Sequence, residues 1–283
     1  MHHAVPSSTS RRRSRLVILD YIFYVAFALA ICAFCYYIYT FRNTALLILP
    51  FLLQGAGVTI AISLISMILA TIFGLLAALG CLSRFKLVRL IATLYVELVR
   101  GTPLLVQLSM WYFGIGLFLA RLGFSPYATA FQIMTVLQNN SLVPDMFNGI
   151  FYGIIALSFN YGAYLTEIFR SGILSVDKGQ YEAALSLGLN EGQVMRRIII
   201  PQAIRIIIPP FTNNFITLIQ DSSLLATLSV IELEQQTFAL AFPLLDSNTK
   251  LFVFVLGALF YLIICYPLSR LTRYLETRMA VAY

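Results

Sequence analysis

The fold class predicted is all-α, a polytopic protein whose helices cross a bilayer. Three observations predict it. Of the 283 residues, 60% are hydrophobic and 11% charged, against roughly 25% charged in soluble domains. Several charge-free intervals reach the ~20 apolar residues that a membrane helix needs. The basic residues gather beside alternate ends of those intervals. This pattern excludes a soluble enzyme, a disordered chain and a nucleic-acid-binding domain. The net charge of +7 reads as basic cytoplasmic loops.

The first interval runs from Tyr21 to Phe41 and is closed by Arg42. Its apolar stretch exceeds the ~7–15 residues of a signal-peptide core, and no small-x-small cleavage site follows it. It is therefore expected to stay as an N-terminal transmembrane helix over 16–41, behind a basic tail over 1–15. Further spans are expected at Phe51–Gly80, after Pro50, and at Gly101–Ala120, Met146–Thr166, Pro201–Gln220 and Leu251–Ser269. The uncharged stretch Leu122–Pro144 holds two prolines and several amides, too polar for a lipid-facing helix. It is expected to be an external re-entrant or interfacial helix. With six spans and the N-terminus inside, 16 of the 19 Lys and Arg fall inside, leaving Arg42, Arg121 and Lys250 outside. A seventh span would erase that asymmetry. Both termini are thus expected in the cytoplasm, with 274–283 as a C-terminal tail.

Metal and redox chemistry find little support. The only histidines are His2 and His3, and the Cys32–Cys35 pair lies in an apolar run, short of the four ligands of structural zinc. No cofactor is expected. No Gly-Lys-Ser/Thr occurs, so no P-loop cradles a phosphate.

The longest inside loop is the most informative. Asp177 or the Lys178-Gly179 turn starts a short helix carrying Ala183 and Ala184. Gly188 stands where that helix ends and reverses. Asn190 is an allowed N-cap, with Gln193 three residues on as a capping box, and Pro201 suits the first turn of the next span. A helix–Gly–helix element with small residues, open to close approach by a partner, is the physical reading.

Here the sequence resembles the EAA loop of ABC-importer permeases. Glu182-Ala183-Ala184, Gly188, Ile198 and Pro201 fit its spacing (EAA, three residues, G, nine residues, I-x-L-P), with Ile200 in the leucine position. FLLQGAGVT (51–59), ELVRGTPLLVQ (97–107), YGAYLTEIFRSG (161–172), GQYEAA (179–184), IPQAIR (200–205), PPFTN (209–213) and QDSSL (220–224) are similar to the permeases for polar amino acids. The resemblance covers about 51–273, leaving out the first helix. It implies a type I permease core of five spans plus one extra helix. It also implies that Glu182, Ala183, Ala184, Gly188, Ile198 and Pro201 couple the protein to a cytoplasmic ATPase dimer. A second permease, identical or homologous, an extracytoplasmic substrate-binding protein and a bacterial inner membrane follow from the same likeness. Gln220 stands where relatives commonly carry lysine, so nothing transfers from that lysine.

In the fifth expected span, Asn213, Asn214, Thr217, Gln220 and Asp221 recur at helical spacing as a polar stripe. An aspartate at a helix centre costs about 2.5–3.5 kcal/mol on insertion scales. The stripe is expected to line a translocation path, with Asp221 or the amides meeting a substrate ammonium; interhelical hydrogen bonding is the plain alternative. Gln107, about one turn after Pro103, is a further path candidate. Glu97 with Arg100, and Glu167 with Arg170, have the i,i+3 spacing of ordinary ion pairs. The competing function is a secondary, ion-coupled amino-acid transporter, which also uses intramembrane acids, although such folds often show inverted repeats and none is evident. A membrane enzyme is disfavoured by a core without histidine.

Overall fold

The computed structural model describes residues 24–26, 28–29, 31–138 and 142–280. The basic tail over 1–15 lies outside them. The described residues form helices without strands: α1 (Tyr24–Thr40), α2 (Arg42–Cys81), α3 (Lys86–Arg100), α4 (Leu104–Arg121), α5 (Pro126–Val136), α6 (Phe147–Leu174), α7 (Lys178–Ser186), α8 (Glu191–Leu228), α9 (Leu233–Ala241) and α10 (Ser247–Ala280).

By length and composition α2, α4 and α10 can cross a membrane, and the pair α8 and α9 can do so as one span bent by 53°. α6 occupies the expected fourth span but carries Asn160, Tyr161, Tyr164 and Glu167. Protein surrounds it instead of lipid, and half of its 28 residues are buried. α5 is 11 residues long, about 16 Å, too short to span, as expected of the 122–144 stretch. Ser125 caps it, accepting from Ala128 N–H, with Pro126 in its first turn.

Three boundaries differ from expectation. α2 begins at Arg42 and keeps Pro50 inside it, and its 40 residues extend about 60 Å. α1 is separated from α2 by Phe41 alone, which itself still donates to Tyr37 O and accepts from Ala45 N–H in the helical pattern. No loop forms there: Ala45–Leu49 are apolar and the helix runs on through Arg42, Asn43 and Thr44. Tyr37 of α1 and Phe41 pack their rings on Phe252 of α10. At the other end, the expected tail after 273 continues as helix through Ala280.

The main core joins α2, α6 and α8 through Ile62, Met67, Leu157, Leu165, Leu218 and Leu225. Small residues permit close approach, as in membrane bundles generally: a Cβ on Gly74 of α2 would stand 2.8 Å from the Leu165 Cβ of α6. A second core gathers Leu52 and Ala56 of α2, Leu233 and Ala241 of α9, and Val253 of α10. α3 folds back along α2, with Ala92 against Gly80. Tyr95 donates to the Phe159 carbonyl in the middle of α6 at 2.7 Å. Arg100 is thereby carried to mid-α6.

Candidate functional site

The α3–α4 turn, the middle of α6 and the end of the α-helical part of α8 enclose a polar cavity of about 420 Å³. Gly101, Thr102 and Pro103 form the turn: proline lacks the N–H that would continue α3 and holds its predecessor extended. Gln107 braces it. Its amide donates to Val99 O (2.7 Å), Thr102 O (3.1 Å) and Thr102 Oγ1 (2.8 Å), and its carbonyl accepts from Asn160 Nδ2 at 3.1 Å. Gln107, expected on the path, is 5% exposed and does not line this cavity. Carbonyls freed where α3 ends claim its amide, so it stands behind the wall.

The expected stripe on α8 divides. Asn214, Thr217 and Asp221 line the cavity, whereas Asn213 and Gln220 do not. Those two are exposed on a neighbouring face, about 100° round the helix. Asn214 Nδ2 donates to Pro210 O at 3.0 Å and Thr217 Oγ1 to Asn213 O at 3.1 Å, while Asp221 Oδ2 accepts from the Tyr161 hydroxyl at 2.7 Å.

Three lining residues were not expected there. Arg100 forms no ion pair with Glu97; its guanidinium lies 5.3 Å from the Tyr164 ring centre and faces the cavity. Arg100 and Glu97 are both exposed, where an ion pair gains little, and the guanidinium lies instead over the ring face as a cation–π contact. Asn160 and Tyr164 complete the wall from α6; the sequence signal was an asparagine inside an otherwise apolar interval. The cavity is therefore bipolar, with a guanidinium on α3 and a carboxylate on α8, and neither has an ion-pair partner among the described residues. The expected Glu167–Arg170 pair does form, one turn beyond Tyr164.

The second candidate site is the helix–turn–helix of α7 and early α8. Asp177 caps α7. Gly188 has φ +84°, the left-handed conformation that costs other residues roughly 1–2 kcal/mol. Gly188 N–H bonds Leu185 O (2.9 Å) and Leu189 N–H bonds Ala184 O (3.2 Å), a complete Schellman reversal. Asn190 and Gln193 form the expected reciprocal capping box. Ala184, Val194 and Ile199 make a small core with Val176 and Ala203, against which Ile198 packs. Gln202 ties α8 to Gln180 of α7. A π-turn over Met195–Ile199 precedes Pro201, widening the helix where proline crowds the preceding turn. The six expected coupling residues thus divide by task. Ala184 and Ile198 hold the element together, Gly188 and Pro201 shape its backbone, and Glu182 and Ala183 face outward. Leu187, 84% exposed beside the turn, joins that outward surface; its position just before a reversing glycine was the available signal. Early α8 adds the exposed Arg196 and Arg197. Among the described residues no group of His, Cys, Asp and Glu is placed to hold a metal.

Residues 70–281 match the family described as the binding-protein-dependent transport system inner membrane component. The chain belongs to that family. Among curated members it is similar to a probable amino-acid ABC transporter permease, YckA, of Bacillus subtilis (38% identity over 84% of this chain and 94% of that one). It is also similar to the L-cystine permease TcyB of the same organism (35%, over 81% and 87%) and to a putative glutamine permease, GlnP, of Rickettsia bellii (32%, over 82% and 94%). Among solved structures it resembles an amino acid ABC transporter determined with histidines, at TM-score 0.68 and 30% identity, over 83% of this chain and 97% of that one. The MetNI methionine transporter shares the fold alone, at TM-score 0.57 and 17% identity. As a family member, the chain is a membrane-embedded permease subunit. The ion-coupled alternative finds no support in these likenesses.

Proposed function

We propose that this permease subunit imports amino acids and holds each passing molecule in the cavity between Arg100 and Asp221. The carrying observation is the bipolarity of that cavity. A zwitterion presents a carboxylate and an ammonium together, and a site with one cation and one anion on opposite walls answers both. Asn160, Asn214 and Thr217 supply neutral hydrogen-bonding groups between them. The similar permeases, named for amino acids, L-cystine and glutamine, support the amino-acid class.

On this reading the α7–α8 element docks on a cytoplasmic ATPase, with Glu182, Ala183 and Leu187 as contact surface. Both termini lie inside, and an extracytoplasmic binding protein delivers substrate. Asn213 and Gln220, exposed on a helix surrounded by apolar spans, support pairing with a second permease copy or a homologous chain. Reconstitution of the complete transporter in vesicles tests the proposal. ATP-dependent uptake should fall sharply for Arg100→Gln and for Asp221→Asn. Uptake driven by an ion gradient without ATP would contradict it.

A further inference from the structure

Glu232 is fully buried, 0% exposed, and has no ion-pair partner among the described residues. Its carboxylate accepts from Glu234 N–H (3.0 Å), Gln235 N–H (2.9 Å), the Tyr261 hydroxyl (3.0 Å) and Thr59 Oγ1 (3.3 Å). Thr59 itself accepts from Leu233 N–H at 3.1 Å, so its own proton is free for the carboxylate. One side chain therefore pins the start of α9 to α2 and to α10. α9 is also wedged: a Cβ on Gly55 of α2 would stand 2.9 Å from Leu233 Cα, and one on Gly257 of α10 would stand 2.6 Å from Thr237 Oγ1.

Between this pin and Asp221 lies Ser222–Leu228, seven residues of 3₁₀-helix ending at Ser229 in the left-handed conformation. Runs of 3₁₀-helix longer than three or four residues are uncommon. Relaxing seven residues from 3₁₀ to α geometry would shorten the segment by about 3.5 Å and turn it by about 140°. Asp221 would then leave the Tyr161 hydroxyl and the cavity.

We propose that Glu232 is a positioning residue for transport: by fixing the far end of the 3₁₀ segment, it sets the height and rotation at which Asp221 stands in the cavity. Its effect on substrate rests on the reading of that cavity given above, while its effect on α8 does not. Three of the four donors converge on Oε2 and Gln235 N–H alone on Oε1. Glu232→Gln therefore keeps the shape and one acceptor oxygen but sets its NH2 against at least one donor and removes the charge, which loosens the pin.

Two measurements on the reconstituted complex test this. In uptake assays, Glu232→Gln should raise KM by about tenfold or more, the scale of a lost hydrogen bond to a charge. The milder Tyr261→Phe should raise it by a smaller factor, which covers the case in which the glutamine variant folds poorly. Combined with Asp221→Asn, Glu232→Gln should add nothing further, since both act through one group; multiplicative effects would overturn the proposal. In spin-label distance measurements, the native cysteines are replaced and labels placed at Asn213→Cys on α8 and Phe242→Cys after α9. Either Glu232→Gln or Tyr261→Phe should shift that distance by about 3 Å toward the α-helical length; distances unchanged in both would overturn the anchor. A normal KM for Asp221→Asn alone would overturn the cavity reading and the transport role drawn from it, leaving the anchor to the distances.

Discussion

The Tyr161 hydroxyl and the Asp221 carboxylate meet at 2.7 Å, linking the middle of α6 to the last residue of the α-helical part of α8. The bond holds one carboxylate oxygen in the wall of the cavity that Arg100 also lines. Tyr161→Phe should leave the Asp221 side chain unaimed and raise the uptake KM about tenfold. Radiolabelled uptake into vesicles measures it, and an unchanged KM would show that aiming is unimportant.

Gly188 meets no atom within 4 Å of where a Cβ would sit, so only its backbone conformation resists substitution. Gly188→Asn, which tolerates left-handed φ, should keep most substrate-stimulated ATP hydrolysis. Gly188→Val, strained by its branched Cβ, should lose nearly all of it while still inserting in the membrane. Equal activity in the two would contradict the Schellman reversal as the working feature.

Gln107→Leu should lower stability without altering selectivity. Its loss leaves the Val99 carbonyl with only its longer bonds from Thr102 and takes the Gln107 acceptor from the Asn160 amide, at about 1–3 kcal/mol for a buried group left unpaired. Thermal unfolding of the purified chain checks the loss, and competition uptake checks selectivity.

Gly74 and Gly57 lie on one helix in opposite circumstances. Gly74→Val forces a Cβ against Leu165 and should cost about 1–3 kcal/mol or more through overpacking. Gly57→Ala meets open space and should be neutral or slightly stabilising, because alanine favours helix. Paired unfolding curves decide it.

Asp246 caps α10, accepting from Thr249 N–H at 2.8 Å and from the Thr249 hydroxyl. These bonds, the hydroxyl's first, hold its carboxyl below the usual aspartate value. A depressed folded value means the stabilisation is present above the unfolded pKa of about 3.9. It is lost as pH falls through the folded value. Melting temperature should therefore drop more steeply in acid for the natural chain than for Asp246→Asn, which caps without ionising.

Much of the architecture was legible because charges are rare within the apolar runs and gather toward their flanks. The helix–turn–helix of α7 and early α8 was legible in its backbone, since capping and reversal are local chemistry: Gly188 and Asn190 need only their immediate neighbours. The cavity was half legible. Asp221, Asn214 and Thr217 share a face that helical periodicity reveals. Arg100 and Gln107 were misassigned, because their surroundings depend on how sharply α3 turns at Pro103 and how it folds back along α2. No one-dimensional pattern carries that angle. Glu232 was passed over for the same reason, its partners Thr59 and Tyr261 being 173 and 29 residues away.

Asn213, Thr217 and Gln220 stand exposed along α8. An orphan copy adrift in hydrocarbon would present unsolvated amides to lipid tails, at a cost of several kcal/mol. Synthesis of this chain without its assembly mates should therefore yield a short-lived product, cleared by membrane proteases, and its abundance in cells should track the scarcest member of the complex.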